Sequence, residues 1–193
     1  MRHRRMLMQA VQGGGRLPPE YQEVEWVANT DSYSAISSGF TISGLKAEIG
    51  FIPRFGGTVN MLCGTTYASN AMMLIVANNS ITFWGVNNSL GAPLLDAENH
   101  VIISDGYQKL NDTEFAFANR GSDNIFYLGG SGTQQYWNDS RWTYCRIYKN
   151  NVLERDFVPC YRIADDRVGF YDVVSKEFYT SSGRNWVKGA DVV

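Results

Sequence analysis

Apolar and polar positions alternate along much of the chain, most sharply near its C-terminal end. In residues 143–148, Tyr144, Arg146 and Tyr148 fall on one face and Thr143, Cys145 and Ile147 on the other. That is the period of a half-buried strand. Lys149, Asn150 and Asn151 follow as a turn, since Asn tolerates positive φ. Residues 152–158 return as a second strand. Pro159 is expected to end it, because proline gives no N–H to a ladder. Residues 168–172 and 177–180 flank a turn over 173–176 and form another hairpin. Two successive hairpins of this period predict an antiparallel sheet.

The same reading extends to the rest of the chain. Residues 1–16 form an arm in which Met6, Leu7, Met8, Ala10 and Val11 suit one or two helical turns, and Gly13, Gly14 and Gly15 make a hinge. Leu17, Pro18 and Pro19 give a rigid extended entry to a single domain over 17–193. Residues 21–28 read as the first strand, with Val24 and Trp26 inward and Tyr21, Glu23, Glu25 and Val27 on the opposite face. Residues 29–38 are polar and loop-like around a short strand at 33–36. Residues 46–52 form a strand ended by Pro53, and 54–57 a turn. Strands over 58–63 and 72–77 enclose a loop at 64–70. A turn at 78–80 leads into a strand at 81–86, and 87–98 is a long loop. Strands follow at 99–104, at 107–110 after Asp105-Gly106, and at 113–118 after Asn111-Asp112. About a dozen strands with frequent turn signals, and no helical period, predict an all-β fold of two packed antiparallel sheets. The chain shows no internal repeat, which disfavours a solenoid or propeller.

Composition narrows the function. The length of 193 residues suits one larger all-β domain. Hydrophobic residues make up 44%, too many for a disordered chain. The net charge of -2 gives no basic field for nucleic acid. No run approaches 18 apolar residues, so no membrane span is expected. The basic start is not followed by a sufficient apolar run, so no signal peptide is expected. Three cysteines, Cys63, Cys145 and Cys160, do not suggest a disulfide framework.

Few constellations carry catalytic chemistry. Glu23 and Glu25 would share a strand face, roughly 6–7 Å apart, wider than the pair a retaining glycosidase uses. Asp96, Glu98 and His100 alternate like metal ligands, but Pro93 and Ala97 point to a loop there. No nucleophile elbow is present. The residues favour binding over catalysis. Sugars stack an apolar ring face on aromatics and bond their edge to polar groups. Trp84, Tyr107, Tyr136 and Trp137 are the aromatic candidates, with Asn87, Asn88, Asn138 and Asp139 as hydrogen-bonding partners.

Four segments carry a family resemblance. They are Ile125-Phe126-Tyr127-Leu128-Gly129-Gly130, Cys145-Arg146-Ile147-Tyr148, Val152-Leu153-Glu154-Arg155-Asp156-Phe157-Val158-Pro159-Cys160 and Val168-Gly169-Phe170-Tyr171-Asp172. Together they resemble laminin-G-like (concanavalin A-like) domains found in virion proteins of phages and prophages of gut bacteria. The N-terminal run from Arg16 to Trp26 resembles that family's opening segment. The resemblance implies a concanavalin A-like jelly-roll sandwich behind an N-terminal extended arm. It implies a non-enzymatic virion surface protein, such as a head-fibre, decoration or tail-fibre module, assembled in the bacterial host cytoplasm. Arg2, Arg4, Arg5, Met6, Leu7 and Met8 would then anchor the arm to other virion proteins, with a homo-oligomer on the particle. A host-surface glycan is the implied ligand. No cofactor is expected, although laminin-G-like domains often hold a calcium ion at the rim, where Asn138, Asp139, Asp165, Asp166, Asp123 and Asn124 are the available oxygens. A purely structural capsid or tail component, and a glycoside hydrolase, are the competing readings.

Overall fold

The computed structural model describes residues 16–29, 35–53, 60–65, 73–77, 80–84, 88–91, 94, 96–104, 107–116, 124–130, 140–180 and 186–193. All regular elements among them are strands. In chain order they are β1 (Tyr21–Glu23), β2 (Val27–Asn29), β3 (Ile36–Thr41), β4 (Leu45–Ile52), β5 (Asn60–Thr65), β6 (Met73–Ala77), β7 (Ser80–Trp84), β8 (Asn88–Gly91) and β9 (Asn99–Ser104). There follow β10 (Tyr107–Leu110), β11 (Thr113–Ala116), β12 (Ile125–Leu128), β13 (Arg141–Lys149), β14 (Val152–Arg162), β15 (Arg167–Asp172), β16 (Glu177–Tyr179) and β17 (Trp186–Lys188). They form two antiparallel sheets, so the expected all-β sandwich of jelly-roll type is the fold observed. The larger sheet runs β11-β10-β9-β4-β13-β14-β15-β16, with β1 on β14 and β2 joining β13 to β17. The smaller runs β3-β12-β5-β6-β7-β8.

β13 is the centre of the larger sheet, with β4 on one side and β14 on the other. Asn150 (φ 50) and Asn151 (φ 66) form the two-residue loop between Lys149 and Val152. Positive φ at both positions is the primed turn whose twist matches the strands. Inner positions alternate into one core: Ala47, Ile49 and Phe51 of β4, Val101 and Ile103 of β9, Trp142, Cys145 and Ile147 of β13, Phe157 and Phe170. Ile36, Leu62, Cys63, Phe126 and Leu128 meet them from the smaller sheet. Phe51, Phe126, Phe157 and Phe170 are fully buried, and burial of each such side chain contributes about 1.5–3 kcal/mol. The rings of Trp142, Phe170 and Trp186 lie 5.5–5.8 Å apart, which locks the C-terminal strand β17 onto the core. The three cysteines are buried and form no disulfide.

Several sequence expectations need correction. The first strand is broken. Val24 makes only a bridge to Asp191, and the N–H of Glu25 turns to the carbonyl of Ala190 at 2.9 Å. After the bend Val27 and Ala28 are both buried, in place of Trp26. The Trp26 ring instead lies 4.3 Å under the Arg141 guanidinium and against Gly189. Glu23 and Glu25 therefore do not share a strand. Pro159 does not end β14, which continues to Arg162. Its missing N–H falls where β14 changes partner: Phe157 pairs with Cys145 of β13 and Cys160 with Glu23 of β1. The Pro159 carbonyl still accepts the Val24 N–H at 3.0 Å. Gly64 and Thr65 belong to β5 rather than to a loop, and β8 lies inside the segment read as a long loop. β3 likewise begins at Ile36, inside the polar stretch.

Candidate functional site

The outer face of the larger sheet is where polar, charged and aromatic side chains gather. Tyr144, Arg146 and Tyr148 of β13 stand opposite Gly50, Glu48 and Lys46 of β4. Those three in turn face His100, Ile102 and Ser104 of β9. On the other side Asp156 lies opposite Arg146 and Leu153 opposite Tyr148. The register between Trp142 and Tyr144 slips by one residue against β4. This bulge turns Thr143 out as well, contrary to simple alternation. Thr143 Oγ1 and the Cδ1–Cε1 edge of Tyr144 both occupy the space where a Cβ on Gly50 would sit. Only glycine fits beneath the pair.

One end of the face is built on His100. Nδ1 of His100 lies 3.1 Å from the Tyr144 hydroxyl, and the two rings stack at 5.9 Å and 28°. Buried Asn99 holds this end. Its Nδ2 donates to the carbonyls of Leu94 and Ala97, and its Oδ1 accepts from the Leu94 N–H and from Nδ2 of Asn111. Asn111 also accepts the His100 N–H at 2.9 Å, fixing the backbone from which His100 projects. Thr143 Oγ1 donates to the Glu98 carboxylate. Burial, with Glu98 and then Glu48 nearby, pushes the Tyr144 phenol up to about 12. It therefore stays protonated and neutral at physiological pH.

The other end is built on Tyr148. The Lys46 ammonium sits 4.1 Å from the ring centroid and 2.8 Å from Glu48. The Tyr148 hydroxyl donates to the same carboxylate at 3.3 Å. Burial and the Glu48 charge raise its pKa. Between the two ends, Arg146 pairs with Asp156 at 3.3 Å. Burial opposes its charge, but Asp156, with Tyr148 and Glu48, outweighs that and raises its pKa. Asp156 also receives Arg16 at 2.5 Å, so the N-terminal segment closes one side of the face. Each carboxylate here is already engaged by a cation or a hydroxyl. The arrangement suits holding a ligand with aromatic edges and hydrogen bonds rather than moving protons.

The residues expected from sequence are scattered by the fold. Trp84 closes β7 in the smaller sheet, opposite Met73. Tyr107 opens β10, and the register places it in the cross-strand row of Ser104, Lys46 and Tyr148. Tyr107 and Trp84 thus lie in different sheets. Tyr136, Trp137, Asn138 and Asp139 lie outside the described residues, as do Asn87, Asp123 and the arm residues Arg2, Arg4, Arg5, Met6, Leu7 and Met8. Asp165 is held by Arg162 at 2.5 Å. Among the described residues no three His, Cys, Asp or Glu side chains converge as metal ligands. Tyr144, Arg146 and Tyr148 are not among the residues expected from sequence, although their shared strand face is legible from alternation against Cys145 and Ile147.

The fold has a known counterpart. No family model matches the chain, and no curated protein does. Among solved structures the chain is similar to a crystal structure titled a "putative carbohydrate binding protein" from Bacteroides ovatus. The two superpose with a TM-score of 0.55 at 14% sequence identity, over 89% of this chain and 62% of that one. At that identity the likeness establishes the shared β-sandwich and no more. The chain spans less than two thirds of the neighbour's length.

Proposed function

We propose that this chain is a non-enzymatic, carbohydrate-binding β-sandwich displayed on a phage particle, with the outer face of the larger sheet as its sugar site. The observation that carries the binding half is the His100–Tyr144 stack over Gly50, set beside Arg146, Asp156 and Glu48. A pyranose presents an apolar face and a polar edge. An aromatic pair fixed on a strand, with charged hydrogen-bonding groups next to it, complements both. The structural neighbour from Bacteroides ovatus is described as a "putative carbohydrate binding protein", which supports the same reading. The particle half rests on the resemblance of the two chain ends to phage and prophage virion domains. Many copies on a particle would turn weak single-site affinity into useful avidity.

Two arms test it. The full chain and Tyr144→Ala are applied to a glycan array and to host cells, with circular dichroism to confirm folding. Binding by the full chain and its loss in the variant is the expected result. Separately, the full chain and a form starting at Arg16 are sedimented with virions lacking this protein. Only the full chain is expected to join them. Virion binding without any glycan or cell binding would leave a purely structural decoration. Glycan cleavage in the array eluate would overturn the non-enzymatic reading.

A further inference from the structure

The outer face has a length and a charge balance, and both constrain its ligand. From Tyr144 to Lys149, β13 pairs with β4 without a slip. Tyr144 and Tyr148 are therefore in line on one face, about 13 Å apart at the rise of a strand. That span is longer than a disaccharide. Leu153, opposite Tyr148 and 37% exposed, and half-buried Ile102, opposite Glu48, extend the apolar ground beside the rings.

The charges between the two tyrosines cancel locally. Lys46 is held by Glu48, Arg146 by Asp156, and Arg16 by Asp156 again. Glu98 takes the Thr143 hydroxyl. Three cations thus face three carboxylates. Lys109, at the edge of the same face, pairs with Glu114 at 3.8 Å. Of the other two cations of β13, Lys149 donates to the carbonyl and hydroxyl of Thr41 and the carbonyl of Ser43, and Arg141 is laid over the Trp26 ring. An acidic ligand would have to displace one of these carboxylates before gaining an ion pair. A neutral ligand can accept from the outward N–H groups of Arg146 and Lys46 and donate to the outward carboxylate lone pairs, leaving every pair intact.

We infer that the face takes an uncharged polysaccharide chain bound along its length, lying parallel to β13, with one sugar ring at Tyr144 and another at Tyr148. This rests on the carbohydrate-binding reading above and makes it specific: the ligand is an internal stretch of a neutral glycan, not a single terminal sugar and not an acidic one.

Isothermal titration of the full chain tests this. The probes are neutral gluco- and manno-oligosaccharides from monosaccharide to hexasaccharide, neutral dextran and mannan, and the acidic polymers polygalacturonate and hyaluronan, each at low and high salt. Affinity is expected to rise with neutral chain length, to plateau once both tyrosines are spanned, and to change little with salt. Tyr144→Ala and Tyr148→Ala are each expected to lower it roughly threefold to tenfold, the worth of one aromatic contact. Tyr148→Phe keeps the ring and is expected to keep most of the affinity. Equal affinity for a monosaccharide and its oligomers, with only Tyr144→Ala harmful, would overturn the chain-length inference and leave sugar binding standing. Preference for the acidic polymers with steep salt dependence would overturn the neutral-ligand inference and also leave sugar binding standing. No binding by any probe would sink the carbohydrate reading together with this one.

Discussion

Tyr144 and Gly50 are a matched pair across two central strands: the tyrosine ring edge fills the volume that a Cβ at position 50 would need. The bulge at Thr143 brings a second group into the same volume. Gly50→Ala must therefore push out Tyr144, Thr143 or the backbone of β4. The expected cost is about 1–3 kcal/mol, as for other overpacked sites. The His100–Tyr144 stack should be lost with it. Urea unfolding checks the first effect, and retention on a neutral polysaccharide gel the second. A Gly50→Ala protein that keeps both stability and retention would show that Tyr144 is not seated as described.

Asp156 ties three parts of the chain together. Its carboxylate receives Arg146 and Arg16, and its backbone N–H donates to Asp172 at 2.8 Å. The carboxylate is only 14% exposed, so its pairs are less screened than surface pairs. Asp156→Asn keeps the shape and removes the charge. Hydrogen bonds to charged groups carry about 1.5–3 kcal/mol, and the exposed arginines lower the expected loss to about 1–2 kcal/mol. Arg16→Ala removes one partner but leaves Asp156 paired with Arg146, so it should cost less than half as much. Denaturant midpoints of the two variants decide the order.

The legible part of the fold was the local part. Alternation gave β9, β10 and the faces of β13 from Arg146 to Tyr148, because those strands are half-buried and unbroken. Asn150 and Asn151 announced their turn through their tolerance of positive φ. What could not be read depended on distant partners. Pro159 sits inside a strand only because β1, from the other end of the chain, takes over from β13 beside it. Trp26 leaves the core because residues 189–191 claim the hydrogen bonds of its segment. Thr143 turns outward at the register slip against β4, where Gly50 leaves room for its hydroxyl. The candidate site was half legible for the same reason. The sequence alone offers Trp84, Tyr107, Tyr136 and Trp137 as sugar-binding aromatics and passes over Tyr144 and Tyr148. The tyrosines of β13 are on a strand yet outside the core, a distinction that needed only the apolar character of Cys145 and Ile147.

Asp172 is expected to be the most sensitive polar position outside the site. It is fully buried, and it accepts from the N–H groups of Asp156, Val174 and Ser175. The Arg155 guanidinium lies 3.5 Å away, above the Phe40 ring at 5.0 Å. Asp172→Ala would strand these donors and leave a largely buried cation without its carboxylate. Removing one partner of such a pair costs about 3–5 kcal/mol. Glu177→Ala, on the exposed side of the same hairpin, should stay within about 0.5 kcal/mol. Thermal unfolding of the two variants side by side checks the contrast. Equal losses would mean that the hairpin is not held through Asp172.

Alkaline pH should weaken the fold through two named groups. Burial pushes the Cys160 thiol from 9.0 up to about 12, and the Tyr144 phenol from 10.0 up to about 12. Both are neutral when protonated, so the folded state holds their protons more tightly than the unfolded chain does. Between pH 9 and 12 the unfolded chain binds fewer protons, and stability falls as pH rises. The contribution is complete below pH 9 and is lost as pH climbs through the folded values. Each group can steepen the fall by at most about 1.4 kcal/mol per pH unit, and half-buried Tyr144 by less because solvent screens it. Cys160→Ala should lessen the earlier onset, which the buried Cys145 thiol, also pushed up by burial, shares, and Tyr144→Phe the later one. Burial also raises the Cys145 thiol and the Tyr148, Tyr171 and Tyr179 phenols, so the difference between variant and parent carries the test. Urea unfolding free energies at stepped pH values from 8 upward measure it. Variant curves that run parallel to the parent throughout would show that neither group is buried as the structure places it.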